Sequence, residues 1–204
     1  MAAPFEFDPA PPWVIREIKQ RELFNAWLRL HASSDGRPAL KAFAPEGVGD
    51  EVNNMGRYAV VRSMDGVRFF IEHDGRNLAI AFGSSGQGKF IDEYVAPDLV
   101  DKILINYRAC ADLGMPVYVI SDLVDRDSRS VSYERLMLPF FTGEEVSHIV
   151  THLRIISADG RFELKELMNG AGGVPRYRLA VRIPPTAPKQ PMRSSAPADE
   201  IIEI

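Results

Sequence analysis

Residues 97–156 hold the pattern that most restricts what this chain can become: one long amphipathic helix followed directly by three strand signals. Between Pro97 and Gly114 the apolar residues Leu99, Val100, Ile103, Leu104, Tyr107 and Ala111 recur at helical spacing, with proline in the first turn and glycine at the end. Three runs of strand character follow, Val117 to Leu123, Val131 to Phe141 and Val146 to Ile156. Asp125-Arg126-Asp127-Ser128-Arg129 joins the first two and Thr142-Gly143-Glu144 the last two. Connectors this short and polar join antiparallel neighbours. The order predicts an α+β domain.

Upstream of the helix, Arg57-Tyr58-Ala59-Val60-Val61-Arg62-Ser63-Met64 and Val67-Arg68-Phe69-Phe70-Ile71-Glu72-His73 flank the turn signal Asp65-Gly66 and predict a hairpin. The glycine-rich stretch from Asp74 to Val95 suits short helices and tight turns. Residues 1–12 carry four prolines and read as a flexible leader, extended or mobile. Residues 13–35 read as an amphipathic helix whose stripe contains Trp13, Phe24, Trp27 and Leu28. That stripe must pack on something, either its own domain or a second copy in a dimer. The domain itself is placed at 36–158, with a C-terminal extension at 159–183. In the extension Tyr177, Leu179, Val181 and Ile183 alternate with Arg176, Arg178, Ala180 and Arg182, a short strand-like pattern with a basic opposite side. Residues 184–204 read as a proline-rich disordered tail.

Composition narrows the function. With 24 Lys and Arg against 28 Asp and Glu, a formal charge of -4 argues against nucleic-acid partners. A single cysteine, Cys110, allows no internal disulfide and no cysteine metal framework, which points to a reducing compartment. With no membrane-length apolar run, the protein is expected to be cytoplasmic, with no membrane partner.

The order of elements, carried by Trp27-Leu28-Arg29, Gly36-Arg37-Pro38-Ala39-Leu40, Gly75-Arg76-Asn77-Leu78, Gly114-Met115-Pro116-Val117-Tyr118 and Tyr133-Glu134-Arg135-Leu136-Met137-Leu138-Pro139-Phe140, resembles the bacterial stand-alone PAS family five across residues 22–156. The resemblance implies a five-stranded antiparallel sheet with helices on one face. It also implies a ligand or partner site between sheet and helices, without naming a ligand, because PAS folds host many chemistries.

Familiar chemistries find little support. The helix at 97–113 has no histidine to ligate haem, and His31, His73, His148 and His152 lie elsewhere. His148 and His152 share one strand face but have no evident third metal ligand, so no metal is assigned. Leu78 stands where flavin-adduct relatives carry cysteine. Ser84-Ser85 lacks a nucleophile elbow, and Gly83 to Gly88 lacks a P-loop lysine. No catalytic residue is assigned and the cofactor is unknown.

Tyr133 and Arg135 point to one face of their strand and Glu134 to the other, so burial of either face takes a polar group with it. With Tyr107, Tyr118 and His148 they form the candidate ligand-binding set. Trp13, Phe24, Trp27 and Leu28 form the candidate partner interface. The expected function is a non-catalytic regulatory module that binds a small molecule or protein partner and signals through protein contacts, as a homodimer. The alternative is a constitutive dimeric scaffold with a dry core.

Overall fold

The computed structural model describes residues 7–45, 49–124, 129–157, 160–168 and 175–185. Its sheet has seven strands: β1 (Asp8–Pro9), β2 (Met55–Ser63), β3 (Gly66–Asp74), β4 (Val117–Val124), β5 (Ser130–Thr142), β6 (Glu145–Ser157) and β7 (Arg176–Arg182), in the spatial order β1-β7-β4-β5-β6-β2-β3. The helices are α1 (Ile18–Ser33), α2 (Arg76–Phe82), α3 (Ile91–Tyr94) and α4 (Pro97–Leu113).

The α+β class stands, but the five-stranded antiparallel sheet with helices on one face does not. Seven strands are present and β1 pairs with β7 in parallel. Two causes account for the difference. The segment at 176–182, whose Tyr177, Leu179 and Val181 alternate with arginine or alanine, pairs along β4 and offers its outer edge to Asp8–Pro9. The apolar stripe of α1, meanwhile, lies on the sheet face opposite α4 and closes a second core there.

The two cores share β5. One gathers Leu99, Ile103, Tyr107 and Cys110 of α4 with Val119, Val131, Tyr133 and Met137 of the sheet. The other gathers Leu23, Phe24 and Trp27 of α1 with Tyr118, Leu136, Leu138 and Phe140. Residues Tyr133 to Phe140 are all buried, as the middle strand of a sheet covered on both sides must be. α4 starts at Pro97, whose missing N–H costs nothing in a first turn, and stops at Gly114, where φ is +59°.

Pro139 lies well inside β5, a position that usually argues against a central strand. Here β4 reaches β5 only as far as Met137, so beyond it β5 has an open flank. On that flank the Trp27 indole donates to the Pro139 carbonyl at 2.7 Å and the Phe141 amide donates to the Pro38 carbonyl at 2.8 Å. The N–H that proline lacks would have pointed to the same side, so no ladder bond is lost.

Of the predicted interface residues, Phe24 and Trp27 are buried within the chain, Leu28 is half-buried, and Trp13 keeps 40% of its surface exposed. The stripe therefore caps its own sheet. Residues 186–204, the greater part of the predicted tail, and residues 1–6 of the leader lie outside the described residues.

Truncating Trp27 removes a fully buried ring and orphans the Pro139 carbonyl, so Trp27→Ala is expected to cost about 3–5 kcal/mol in urea unfolding, against roughly 0.5 kcal/mol for Trp13→Ala. A Trp27→Ala protein of wild-type stability that had lost self-association would instead place the ring in a partner interface.

Candidate functional site

The two faces of β5 divide the predicted ligand-binding set. Tyr107, Tyr133 and Arg135 come together under α4, whereas Tyr118 and Glu134 meet under α1. His148 stands apart from both, with Nδ1 3.0 Å from the Ser147 hydroxyl and Nε2 3.6 Å from Glu72. His152, on the same face, reaches a different carboxylate, Glu51, at 2.9 Å. Each histidine thus has its own acid, and among the described residues no group of three or more His, Cys, Asp or Glu could hold a metal ion.

Under α1 the polar groups act as a clamp. The amide of buried Gln20 donates to the carbonyls of Glu134 at 3.0 Å and His152 at 3.1 Å, tying the helix to two adjacent strands. Tyr118 hydrogen-bonds the Glu134 side chain, and its own hydroxyl is raised out of its ordinary range by burial. Gln20 Oε1, Glu134 Oε2 and His152 Nδ1 have no partner there. Glu134, which the sequence offers as a group needing a partner, lies beside the Tyr118 hydroxyl and keeps one carboxylate oxygen unpartnered.

Under α4 the situation is different. Arg135 is 5% exposed, and its guanidinium lies 5.5 Å from the centre of the Tyr133 ring. Its electrostatic neighbours are Tyr107, Tyr133, Tyr58 and Tyr177, and no carboxylate among the described residues forms an ion pair with it. The tyrosines do not supply the missing charge. Burial pushes the phenols of Tyr58 and Tyr107 up, and that of Tyr177 to about 12, so all three are neutral at pH 7. A cation over a ring contributes about 0.5–1 kcal/mol when exposed and about 2 kcal/mol or more when desolvated. Taking a charge out of water costs several. The ring contact alone leaves Arg135 uncompensated.

Arg135 opens into a chamber between the sheet and α4 that Tyr58, Ile71, Asp74, Phe82, Ile91, Tyr94, Val95, Ile103 and Tyr107 also line. Its volume is about 10 Å³, close to the room one water molecule needs. A hollow of about 520 Å³ between α1 and the Leu40–Pro45 segment is far larger. It is an open groove whose one charged side chain, Arg29, is exposed and needs no partner. Chemistry, not size, singles out the small chamber.

The far wall of the chamber is built by the glycine-rich segment. Asp74 accepts the Gly86 amide at 2.7 Å, and the Tyr94 hydroxyl donates to the Ser84 carbonyl at 2.5 Å. A Cβ on Gly86 would stand 2.7 Å from Ile71 Cδ1 and 2.8 Å from the Tyr94 ring, so only glycine lets the loop press this close. Burial raises the Asp74 carboxyl above its ordinary value, outweighing the Gly86 and Ser85 hydrogen bonds that lower it.

Tyr58, Asp74, Tyr94 and Tyr177 are chamber or near-chamber residues that the sequence reading did not select. Tyr58 sat in plain view in the first hairpin strand, and its ring packs edge-on against Tyr107 with centres 4.9 Å apart. Tyr177 was hidden by a bulge. The register of β7 on β4 slips between Ile120 and Ser121, which turns Tyr177 to the α4 face while Leu179 and Val181 stay on the other. Strict alternation puts all three together. There Tyr177 accepts from Asn106 at 2.7 Å and donates to the Lys102 carbonyl on α4.

No protein-family model matches the chain, and no curated protein shows significant similarity to it. No helix among the described residues is long and apolar enough to cross a membrane. Cys110 is fully buried and burial raises its thiol strongly, which suits packing and not reactivity.

Because Asp74 binds its proton more tightly in the folded chain, its stabilising contribution is full below the ordinary aspartate value and is lost as pH rises through the raised one. At neutral pH the charged carboxylate is a cost. Asp74→Asn, which keeps an acceptor for Gly86, is expected to unfold at higher urea than wild type at pH 7, with the advantage closing near pH 4. A variant weaker than wild type by the same margin at both pH values would show that the charge is not the cost.

Proposed function

We propose that the chain is a regulatory module of the kind its resemblance to the stand-alone PAS family implies: it binds a small molecule in the chamber between sheet and α4 and passes the change on through protein contacts, without catalysis. One observation carries this reading. A buried guanidinium with neutral phenols around it opens into a small, partly open chamber, and such a charge is an open valence for a ligand. The surroundings also lack a catalytic pairing: no nucleophile in the chamber lining stands beside a base, and its acid, Asp74, is engaged by the loop.

The route outward follows from packing. α4 lies over the chamber through Ile103 and Tyr107, and Tyr177 ties its backbone to β7. A ligand that prefers one position of α4 shifts that helix and the sheet edge together. The small volume favours a second reading, a dimeric scaffold with a dry core in which the exposed Trp13 (40%) and Ile18 (62%) carry contacts.

Native mass spectrometry of protein from its own host, with hydrogen exchange across residues 97–113, separates the two. The regulatory reading expects a bound small molecule whose removal speeds exchange in α4. A bare mass, with exchange in α4 unchanged by any metabolite mixture, supports the scaffold. Turnover of a metabolite inside the chamber would overturn both.

A further inference from the structure

We propose that the chamber is selective for a small monocarboxylate, whose oxygens are received by the Arg135 guanidinium and whose short apolar end is received by Phe82, Ile91, Val95 and Ile103. This rests on the reading of the chamber as a ligand site and specifies the class of ligand.

Charge comes first. Arg135 is 5% exposed and lines the chamber, and although Asp74 lines it too, no carboxylate among the described residues forms an ion pair with the guanidinium. A planar fork of N–H donors fits two carboxylate oxygens side by side, which a spherical ion or a neutral amide cannot match. The Tyr58 and Tyr107 rings, packed edge-on, line the same chamber, and both phenols lie near the guanidinium.

Asp74 limits the ligand to one negative charge. Its carboxylate lines the same small space, so the second carboxylate of a dianion would be brought toward a like charge in a place shielded from water. Volume sets the size. A chamber of about 10 Å³ holds one water-sized group, so any carboxylate requires the lining to open, and the smallest carboxylate requires it least. Apart from Asp74 and Tyr94, whose hydroxyl donates to the Ser84 carbonyl, the remaining lining is aliphatic or aromatic.

The test uses the full-length protein and a panel of isosteres at constant ionic strength held with sodium sulfate. Formate, acetate and propionate are titrated alongside acetamide, chloride and succinate, with thermal shift and calorimetry as readouts. Saturable stabilisation by acetate, at least tenfold tighter than by acetamide, chloride or succinate, is expected. Arg135→Met is expected to abolish it. Because the isostere comparison needs only wild-type protein, a variant that failed to fold would not rescue the idea.

Equal response to acetate and chloride would show that the site reads charge alone and overturn the carboxylate assignment. No saturable response to any small carboxylate would also overturn it. A neutral molecule found bound by native mass spectrometry, together with that silence, would leave the ligand-site reading standing while this inference fell.

Discussion

Everything in this fold turns on the burial of β5 from both sides. It is the middle strand of seven, and a strand in that place, with α4 above and α1 below, has no face left for water. Alternation then sends every second residue into a different core. Val131, Tyr133 and Met137 serve one core and Leu136, Leu138 and Phe140 the other. Two adjacent charged residues in such a strand, Glu134 and Arg135, are both buried and cannot meet, because they point in opposite directions.

The two charges are resolved differently. Glu134 finds the Tyr118 hydroxyl, and its carbonyl helps to hold Gln20, so it belongs to the joint between α1 and the sheet. Arg135 finds aromatic surface and a small, partly open chamber, with no carboxylate ion pair among the described residues. Structural ion pairs are common and an unpaired buried cation is not. Neither residue forms an ion pair among the described residues and Glu134 Oε2 has no partner, so what sets the α4 side apart is the chamber that Arg135 lines.

The elements closest to the chamber were legible because their signals are local. The Asp65-Gly66 turn, the Pro97 start and Gly114 stop of α4, and the three strand runs each depend on residues near in sequence, and the structure places β2–β3, α4 and β4–β6 within a residue or two of those patterns. What escaped depended on long-range pairing. The run Leu136-Met137-Leu138 already departs from alternation, the mark of a strand covered on both sides, yet which helix covers the second face is decided some hundred residues away by α1. The bulge opposite Ile120 and Ser121 reverses the face of Tyr177, and no composition signal announces it. Asp74 and Gly86 meet only because the loop folds back on the hairpin.

A ligand site on the α4 side would have the chain carry Arg135 at the expense of stability. Equilibrium urea unfolding of ligand-free wild type, Arg135→Met and Arg135→Lys tests it most directly. A methionine of similar length fills the space without a charge to desolvate, and such replacements are often stabilising by about 1–4 kcal/mol. The account predicts that Arg135→Met unfolds at the same or higher urea than wild type, with Arg135→Lys no better than wild type. Loss of more than about 2 kcal/mol in Arg135→Met, with the cooperative transition broadened, would make the guanidinium a structural pillar of the tyrosine cluster and contradict the account.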